Sequence, residues 1–218
     1  KVVTEDTFPL QFVENGKISG PATGLVENVL SIAGITYSIE VLPWARAYHL
    51  ALTEPNVLIY SLAKTTSRAK EFKWVGHIIA LDYYLYGSAD SNIDFKTPLA
   101  DLKQYQIGTV RDSAVYQYLQ DNGFTNLTTV VQGKQNLLLF KNKRVDLFPA
   151  NKSSFKAICK LYAFDCQMLK PVYKLDISAI DLHMAFSQLT DDTTVEKMRS
   201  AYKQIMQKQN NLLDIGIN

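Results

Sequence analysis

Cysteine, histidine and long apolar runs are all scarce in this chain of 218 residues. Neither the two cysteines nor the three histidines are spaced as zinc ligands, because no Cys-x-x-Cys pair occurs. No apolar run approaches the roughly 18 residues that a membrane-spanning helix needs. The 23 basic and 21 acidic residues leave a net charge of +2, too small and too scattered for a nucleic-acid surface. We therefore expect no metal and no nucleic acid, and we favour a small molecule as partner.

Catalytic motifs are missing as well. The sequence contains no Gly-x-Ser-x-Gly elbow, no Walker loop and no Gly-x-Gly-x-x-Gly fingerprint. The adjacent carboxylates of Glu5 and Asp6 point apart if they lie in a strand, and the pair at Asp191 and Asp192 more simply caps a helix. We predict that the protein is not an enzyme and that it carries no cofactor.

The composition, 47% hydrophobic and 20% charged, is that of a globular protein. The length suits two lobes of about 100 residues each. The chain begins at Lys1 without an initiating Met, so a removed export signal is one interpretation. Cys159 and Cys166 leave two alternatives open, a short-loop disulfide in an oxidising compartment or two separate buried thiols.

Apolar periodicity alternates between strand and helix patterns, which predicts an α/β protein with parallel sheets. In the first half the pattern predicts strands at 2–3, 35–41 and 57–59 and helices at 25–33, 43–52 and 68–71. After a polar segment at 88–98 it predicts strands at 106–110, 127–131 and 145–148 and helices at 114–120, 134–141 and 153–162. It ends with strands at 172–177 and 183–186 and an amphipathic helix at 192–208.

Segment 57–68 runs from a buried, β-branched strand into hydroxyl residues and a cation. A helix is predicted to open near Thr66, which places Arg68 in its first turn. A cation there is unfavourable unless an anion lies beside it, and the hydroxyls of Ser61 and Thr65 are further donors. The segment therefore predicts a carboxylate site. An exposed arginine after an ordinary strand–turn–helix is the alternative.

Other ligand-type residues also follow predicted strands. Phe8 and Trp44 come after the first and second strands, while 110–114 and 149–151 hold the matching positions in the second half. Open α/β sheets bind ligands at the carboxyl ends of their strands, and aromatic walls with a few polar anchors are typical of such sites. Core packing is the alternative for Phe8 and Trp44.

Several motifs carry a family resemblance by their order and spacing. They are Thr4-Glu-Asp-x-Phe-Pro9, Leu42-Pro-Trp-Ala-Arg46, the segment 56–65 with Arg68, Phe72-Lys-Trp-Val-Gly76, Ile107-Gly-Thr-Val-Arg111 and Arg144-Val-Asp146. The whole chain resembles extracellular solute-binding protein family 3, the periplasmic polar amino-acid-binding proteins of ABC transporters.

The resemblance implies a type II periplasmic-binding-protein-like fold. Each of two lobes would be a mostly parallel sheet flanked by helices, and two hinge strands near 84–89 and 182–187 would let the lobes close like a Venus flytrap. Lobe 1 would comprise residues 1–86 plus 186–218, and lobe 2 residues 87–185.

The resemblance also implies roles for single residues. Arg68 is similar to the arginine that pairs with the ligand carboxylate, with Ser61 assisting through its backbone or hydroxyl. Trp44 and Phe8 look like the aromatic walls around the ligand side chain. Ser113 falls at the position of a second-lobe donor to the carboxylate.

Three positions depart from the family pattern. Ala63 and Ala114 stand where amino-acid binders place hydroxyl residues, so two carboxylate donors are missing. Asn151 occupies the position of the acidic residue that holds the ligand ammonium, and an amide lacks the charge assistance of a carboxylate. Glu5 is the alternative source of that negative charge.

These implications predict a monomeric, periplasmic or extracellular solute-binding protein. It would capture an amino acid or another small carboxylate-bearing solute and present it to an ABC permease in the membrane. The alternatives are the ligand-sensing input domain of a membrane signalling protein and, since some relatives of this fold are dehydratases, an enzyme.

Overall fold

The computed structural model describes residues 1–176 and 180–214. In chain order its strands are β1 (Val2–Thr4), β2 (Phe12–Glu14), β3 (Lys17–Ser19), β4 (Ile39–Val41), β5 (Leu58–Ala63), β6 (Phe72–Leu81), β7 (Tyr83–Ser88), β8 (Ile107–Val110), β9 (Leu127–Val130), β10 (Phe148–Asn151), β11 (Leu169–Lys174) and β12 (Ile180–Ser187). Its helices are α1 (Pro21–Ile32), α2 (Trp44–Thr53), α3 (Ala114–Asp121), α4 (Gln135–Lys141), α5 (Lys152–Leu161) and α6 (Asp192–Asp214).

The first lobe is built on a five-stranded sheet in the order β4-β1-β5-β12-β6. β1 pairs in parallel with β4 and β5, whereas β12 runs antiparallel to β5 and β6. Every residue of β5 is buried, as expected for the apolar run at 57–59 in a central strand. The α/β prediction is confirmed, and antiparallel strands make this sheet mixed.

The second lobe joins a parallel pair to an antiparallel trio. β8 and β9 are parallel, and β10-β7-β11 form a three-stranded antiparallel sheet. The two parts are linked beside β8, where the amide of Gly108 donates to the carbonyl of Leu147 over 2.9 Å. The predicted strand at 145–148 lies later in the chain, at Phe148–Asn151, which moves Asn151 to the strand end.

The chain passes between the lobes twice. The first passage is at Asp82, since β6 belongs to the first sheet and β7 to the second. The second lies between β11 and β12, just before the predicted hinge at 182–187. The division at residues 86 and 186 remains a prediction. The end of the predicted strand at 172–177 and the last residues of lobe 1, 215–218, lie outside the described residues.

The helix predicted at 68–71 is wrong, because the chain there forms consecutive turns. The amide of Arg68 donates to the carbonyl of Thr65 over 3.1 Å, and the hydroxyls of Thr65 and Ser67 lie 2.9 Å apart. Such local side-chain bonds compete with helical hydrogen bonding. Arg68 is therefore not held at a helix N-terminus.

The disulfide alternative for the two cysteines is confirmed. Cys159 in α5 is bonded to Cys166, with the two Cα atoms 5.8 Å apart. In the described ranges no helix is long and apolar enough to span a membrane. The same ranges contain no cluster of three or more His, Cys, Asp or Glu side chains suited to a metal ion.

A close contact between an aromatic ring and a glycine holds α6 against the first sheet. The ring of Tyr202 in α6 lies over Gly76 in β6, and a Cβ at Gly76 would come within 2.6 Å of three ring atoms. The Tyr202 hydroxyl donates to the carbonyl of His77 over 2.9 Å, which holds the ring in place. A side chain at position 76 therefore requires the Tyr202 ring to shift from this contact.

We expect Gly76→Ala to lower the free energy of unfolding by about 1–3 kcal/mol, because the added methyl overpacks this contact. Gly24→Ala is the matched control. Gly24 lies in α1 with nothing within 4 Å of the added Cβ, so the change should stabilise by about 0.5–1 kcal/mol. Urea unfolding of both variants measures the two effects, and equal stabilities would contradict the packing argument.

Candidate ligand-binding cleft

A cavity of about 740 Å³ lies between the two lobes. The first lobe lines it with the loop after β1, the start of α2 and the segment from Ser61 to Arg68. The second lobe contributes the end of β8, the start of α4 and one face of α5. All but one of the predicted site residues line this cavity, namely Glu5, Phe8, Trp44, Ser61, Ala63, Arg68 and Ser113. The exception is Asn151.

Arg68 is the largest fully buried side chain, with 1% of its surface exposed. Its Nη2 donates to the carbonyl of Asp112 over 2.9 Å, while Nε and Nη1 have no hydrogen-bond partner among the described residues. The guanidinium carbon lies 4.6 Å from the ring centre of Tyr48 and 5.5 Å from that of Trp44. Burial lowers the pKa of Arg68, yet an arginine in a protein keeps its charge. A cation with free donors is thus held in the cavity wall.

The aromatic support for Arg68 comes from the periodicity of α2. Trp44 and Tyr48 are four residues apart, and their rings stack with centroids 5.8 Å apart. The Tyr48 hydroxyl donates to Glu71 over 2.8 Å, which ties the ring to the turn that carries Arg68. Cation–π attraction offsets part of the cost of burying the guanidinium. Trp44 therefore packs against Arg68 as well as lining the cavity.

Ser61 has a backbone conformation that non-glycine residues rarely adopt, with φ of 57°. The pairing register of β5 with β12 shifts between His183 and Ala185, beside this residue. The Ser61 hydroxyl donates to Oε1 of Gln11 over 2.8 Å in a buried contact. Backbone strain of this kind is frequent at ligand sites. Ala63, two residues further on, has no side-chain donor to add.

Two groups of the second lobe, the Asp112 carbonyl and the Lys134 ammonium, bond to the first lobe across the cleft. The carbonyl of Asp112, in the second lobe, accepts both from Arg68 and from Nε1 of Trp44 over 3.0 Å. Lys134 at the start of α4 forms an ion pair with Asp6 at 2.8 Å, and both side chains are partly buried. Asp112 has φ of 58°, a left-handed conformation that strains the backbone of the loop before α3. The structure therefore shows the lobes in contact.

Ser113 and Asn151 both cap helices of the second lobe. The Ser113 hydroxyl oxygen accepts from the amide of Tyr116 over 3.1 Å, which leaves its hydrogen free to donate. Oδ1 of Asn151 accepts from the amide of Ser154 over 2.9 Å, and Asn151 is buried outside the cavity wall. Asn151 is the N-cap of α5 and does not itself line the cavity. Its side chain also hydrogen-bonds Tyr83, which lines the cavity beside Glu5.

Among the acidic residues of the cavity wall, Glu5 has the largest shift in pKa. Burial raises its pKa to about 7 from an ordinary value of 4.5, a hydrogen bond with Thr7 opposes the rise, and the charge of Asp6 adds to it. Burial also raises the pKa of the neighbouring Tyr83 to about 12, and the charge of Glu5 contributes to this shift. A carboxyl group that is partly protonated near neutral pH therefore faces the cavity.

Several site residues were missed from the sequence. Tyr48 had a readable signal, because its spacing from Trp44 predicts a shared helix face. Gln11 reaches Ser61 from the loop after β1. Asp112 acts through its backbone carbonyl, and Lys134 acts through its ion pair with the other lobe. None of these has a sequence signature, since each depends on how distant segments meet.

No protein-family model and no curated protein matches the sequence. Solved structures do match. A histidine kinase sensor domain with similarity to periplasmic binding proteins has a TM-score of 0.82 at 19% identity, covering 98% of this chain and 92% of that one. The arginine-, lysine-, histidine-binding protein ArtJ from Geobacillus stearothermophilus has a TM-score of 0.80 at 15% identity, covering 96% and 90%.

An ancestral arginine-binding protein bound to arginine also has a TM-score of 0.80, at 16% identity, covering 100% of this chain and 97% of that one. The chain has a two-lobed, periplasmic-binding-protein-like fold. At these identities the likeness concerns the fold.

Glu5 should make stability depend on pH. Between pH 4.5 and about 7 the folded protein retains a proton that the unfolded chain has released, so the carboxyl destabilises the fold increasingly as pH rises through this window. His183 acts in the opposite sense, because burial and the nearby His77 lower its pKa to about 4.

The difference between wild type and Glu5→Gln isolates the Glu5 effect. We expect the variant to gain stability relative to wild type as pH rises from 4.5 to 7.5, because the amide never ionises. Urea unfolding across this range measures the difference. A difference that stays constant with pH would contradict the assignment.

The ion pair between Asp6 and Lys134 should bias the lobes towards closure. We expect Lys134→Met to raise the radius of gyration of the ligand-free protein in small-angle scattering, because a partly buried pair contributes about 0.2–1 kcal/mol. Lys1→Met is the control, since the pair between Lys1 and Glu54 lies within the first lobe. Equal radii for the two variants would argue against a role in closure.

Proposed function

We propose that this protein captures a small carboxylate-bearing solute between its two lobes. The supporting observation is Arg68, a buried cation in the cavity wall whose Nε and Nη1 have no partner among the described residues. No salt bridge joins Arg68 to a carboxylate in the described chain, although the charges of Glu71 and Asp112 lie near enough to oppose the lowering of its pKa by burial. A buried charge that is not directly paired costs several kcal/mol. A ligand carboxylate would compensate that charge and accept charge-assisted hydrogen bonds.

Ligand capture would work by lobe closure. Arg68 and Ser61 lie on one lobe and Ser113 on the other, so a carboxylate held among them contacts both lobes. A ligand that contacts both lobes favours the closed form by its higher affinity for that form. The contacts made by the Asp112 carbonyl and by Lys134 would assist it. The residue roles remain proposals, and the lobe boundaries do as well.

Delivery of the solute to an ABC permease is the first candidate role. One matching structure is the substrate-binding protein of an amino acid ABC transporter, with 17% identity and a TM-score of 0.78. The disulfide between Cys159 and Cys166 favours an oxidising location such as the periplasm or the cell exterior. A monomeric, exported capture protein is consistent with both observations.

Signal sensing is the second candidate role, and the match to a histidine kinase sensor domain favours it. The full-length gene product decides between the two. A membrane span followed by a cytoplasmic signalling domain would support sensing, whereas a free binding protein encoded with a permease would support delivery.

Catalysis has less support than either binding role. Of the two adjacent carboxylates in the cavity wall, Asp6 is paired with Lys134. The other titratable neighbour of Glu5 is Tyr83, whose pKa, raised by burial to about 12, keeps its hydroxyl protonated near neutral pH, so it is a poor acid–base partner. Turnover of a cyclic acid by the purified protein would overturn this assignment.

Arg68→Met provides the test of capture. A screen of carboxylic acids by thermal shift should find ligands that raise the melting temperature of the wild type, and we expect Arg68→Met to weaken their binding by about 100-fold or more. Because the variant removes an unpaired buried charge, the ligand-free protein should keep or gain stability.

Arg46→Met is the matched control, since Arg46 is an exposed arginine on α2 and does not line the cavity. It should leave both ligand binding and stability unchanged. If Arg68→Met bound the same acids as tightly as wild type, the capture site proposed here would be wrong.

A further inference from the structure

One face of α5 presents apolar side chains to the cavity. Ala157, Ile158 and Leu161 line it, at the spacing of one helix face after Ser154. Leu161 is 64% exposed at the end of the helix, although it is a large hydrophobic residue. The disulfide at Cys159 anchors this part of α5. A leucine left open to solvent on a cavity rim favours an apolar partner.

The first lobe presents a matching apolar wall. Phe8 and Phe12 line the cavity with their rings 4.8 Å apart, and Phe8 remains 47% exposed. Val13, next to Phe12 in β2, is 49% exposed and also lines the cavity. Leu10 and Leu182 complete the wall beneath them. Apolar surfaces from both lobes therefore face each other across the cavity.

Most of the charged side chains that line the cavity are paired within the protein or exposed to solvent. Asp6 and Lys134 neutralise each other, and Glu14 and Lys160 are exposed to solvent. The carboxyl of Glu5 is bonded to Thr7, and because burial raises its pKa to about 7 it is only partly ionised near neutral pH in the ligand-free protein. Arg68 remains as the buried charge with donors to spare among the described residues.

We propose that the ligand is a monocarboxylate without an ammonium group, whose body is an aromatic or branched aliphatic group, rather than an amino acid. This inference rests on the proposed capture function and adds the chemical class of the ligand. The carboxylate pairs with Arg68, and the body lies between the Phe8–Phe12 wall and the exposed face of α5. A cavity of about 740 Å³ leaves ample room for such a body beyond the carboxylate.

Isothermal titration with four probes tests the ligand class. Propanoate presents the head group alone, 3-phenylpropanoate adds an aromatic body, L-phenylalanine adds an ammonium to that skeleton, and L-arginine carries a basic side chain. We expect 3-phenylpropanoate to bind at least 10-fold more tightly than propanoate and L-arginine, since burying the ring removes apolar surface from water. It should also bind no less tightly than L-phenylalanine.

Variants of α5 test the location of the body. Ile158→Asn and Leu161→Asp should each weaken 3-phenylpropanoate at least 10-fold while leaving propanoate unchanged. Leu161→Asp keeps the test valid if Ile158→Asn fails to fold, because Leu161 is exposed. Lys156→Asp is the control, since this exposed residue of α5 does not line the cavity.

The outcomes separate this inference from the proposed function. Tighter binding of L-arginine or L-phenylalanine than of 3-phenylpropanoate, lost in Arg68→Met, would overturn the ligand class and keep the capture function. Binding of 3-phenylpropanoate unaffected by Ile158→Asn and Leu161→Asp would overturn the location. Absence of binding by every probe in the wild type would overturn the inference, and the capture function would also fall if the wider acid screen found no ligand.

Discussion

The burial of one cation organises the cleft. Arg68 lies in the cavity wall beneath Trp44 and Tyr48, and its Nη2 reaches the Asp112 carbonyl of the other lobe. A guanidinium in this position is costly, and its surroundings offset the cost only in part, with two aromatic faces and one carbonyl. The remaining donors, Nε and Nη1, have no hydrogen-bond partner among the described residues, which is the basis for the proposed carboxylate site.

The same arginine also takes part in the contact between the lobes. Trp44 and Arg68 bond the same carbonyl oxygen from across the cleft, so movement of the second lobe changes the surroundings of the cation. The strained backbone at Ser61 and Asp112 places these groups on either side of the cavity. A carboxylate bound at Arg68 would therefore be sensed by both lobes at once.

The cleft combines this polar anchor with apolar walls. The loop after β1, the β2–β3 hairpin and the exposed face of α5 contribute phenylalanine and aliphatic side chains, while Asp6 and Lys134 neutralise each other. Apolar walls contribute affinity through burial, and few polar groups set the orientation of a ligand. In the proposed binding mode, Arg68 would set the orientation of the ligand and the apolar walls would contribute affinity.

The amino-acid sequence by itself determined the α/β class, the buried strand at 57–59 and seven of the residues that line the cavity, because apolar periodicity and residue type are local properties. It did not determine the turns at 66–71, where hydroxyl contacts replaced a predicted helix, or the capping role of Asn151. The tertiary structure alone decided that Tyr48 supports Arg68, that Asp112 and Lys134 bridge the lobes, and that the pKa of Glu5 is raised. Each of these depends on desolvation or on contacts between segments far apart in the chain, and such contacts exist only once both lobes have folded.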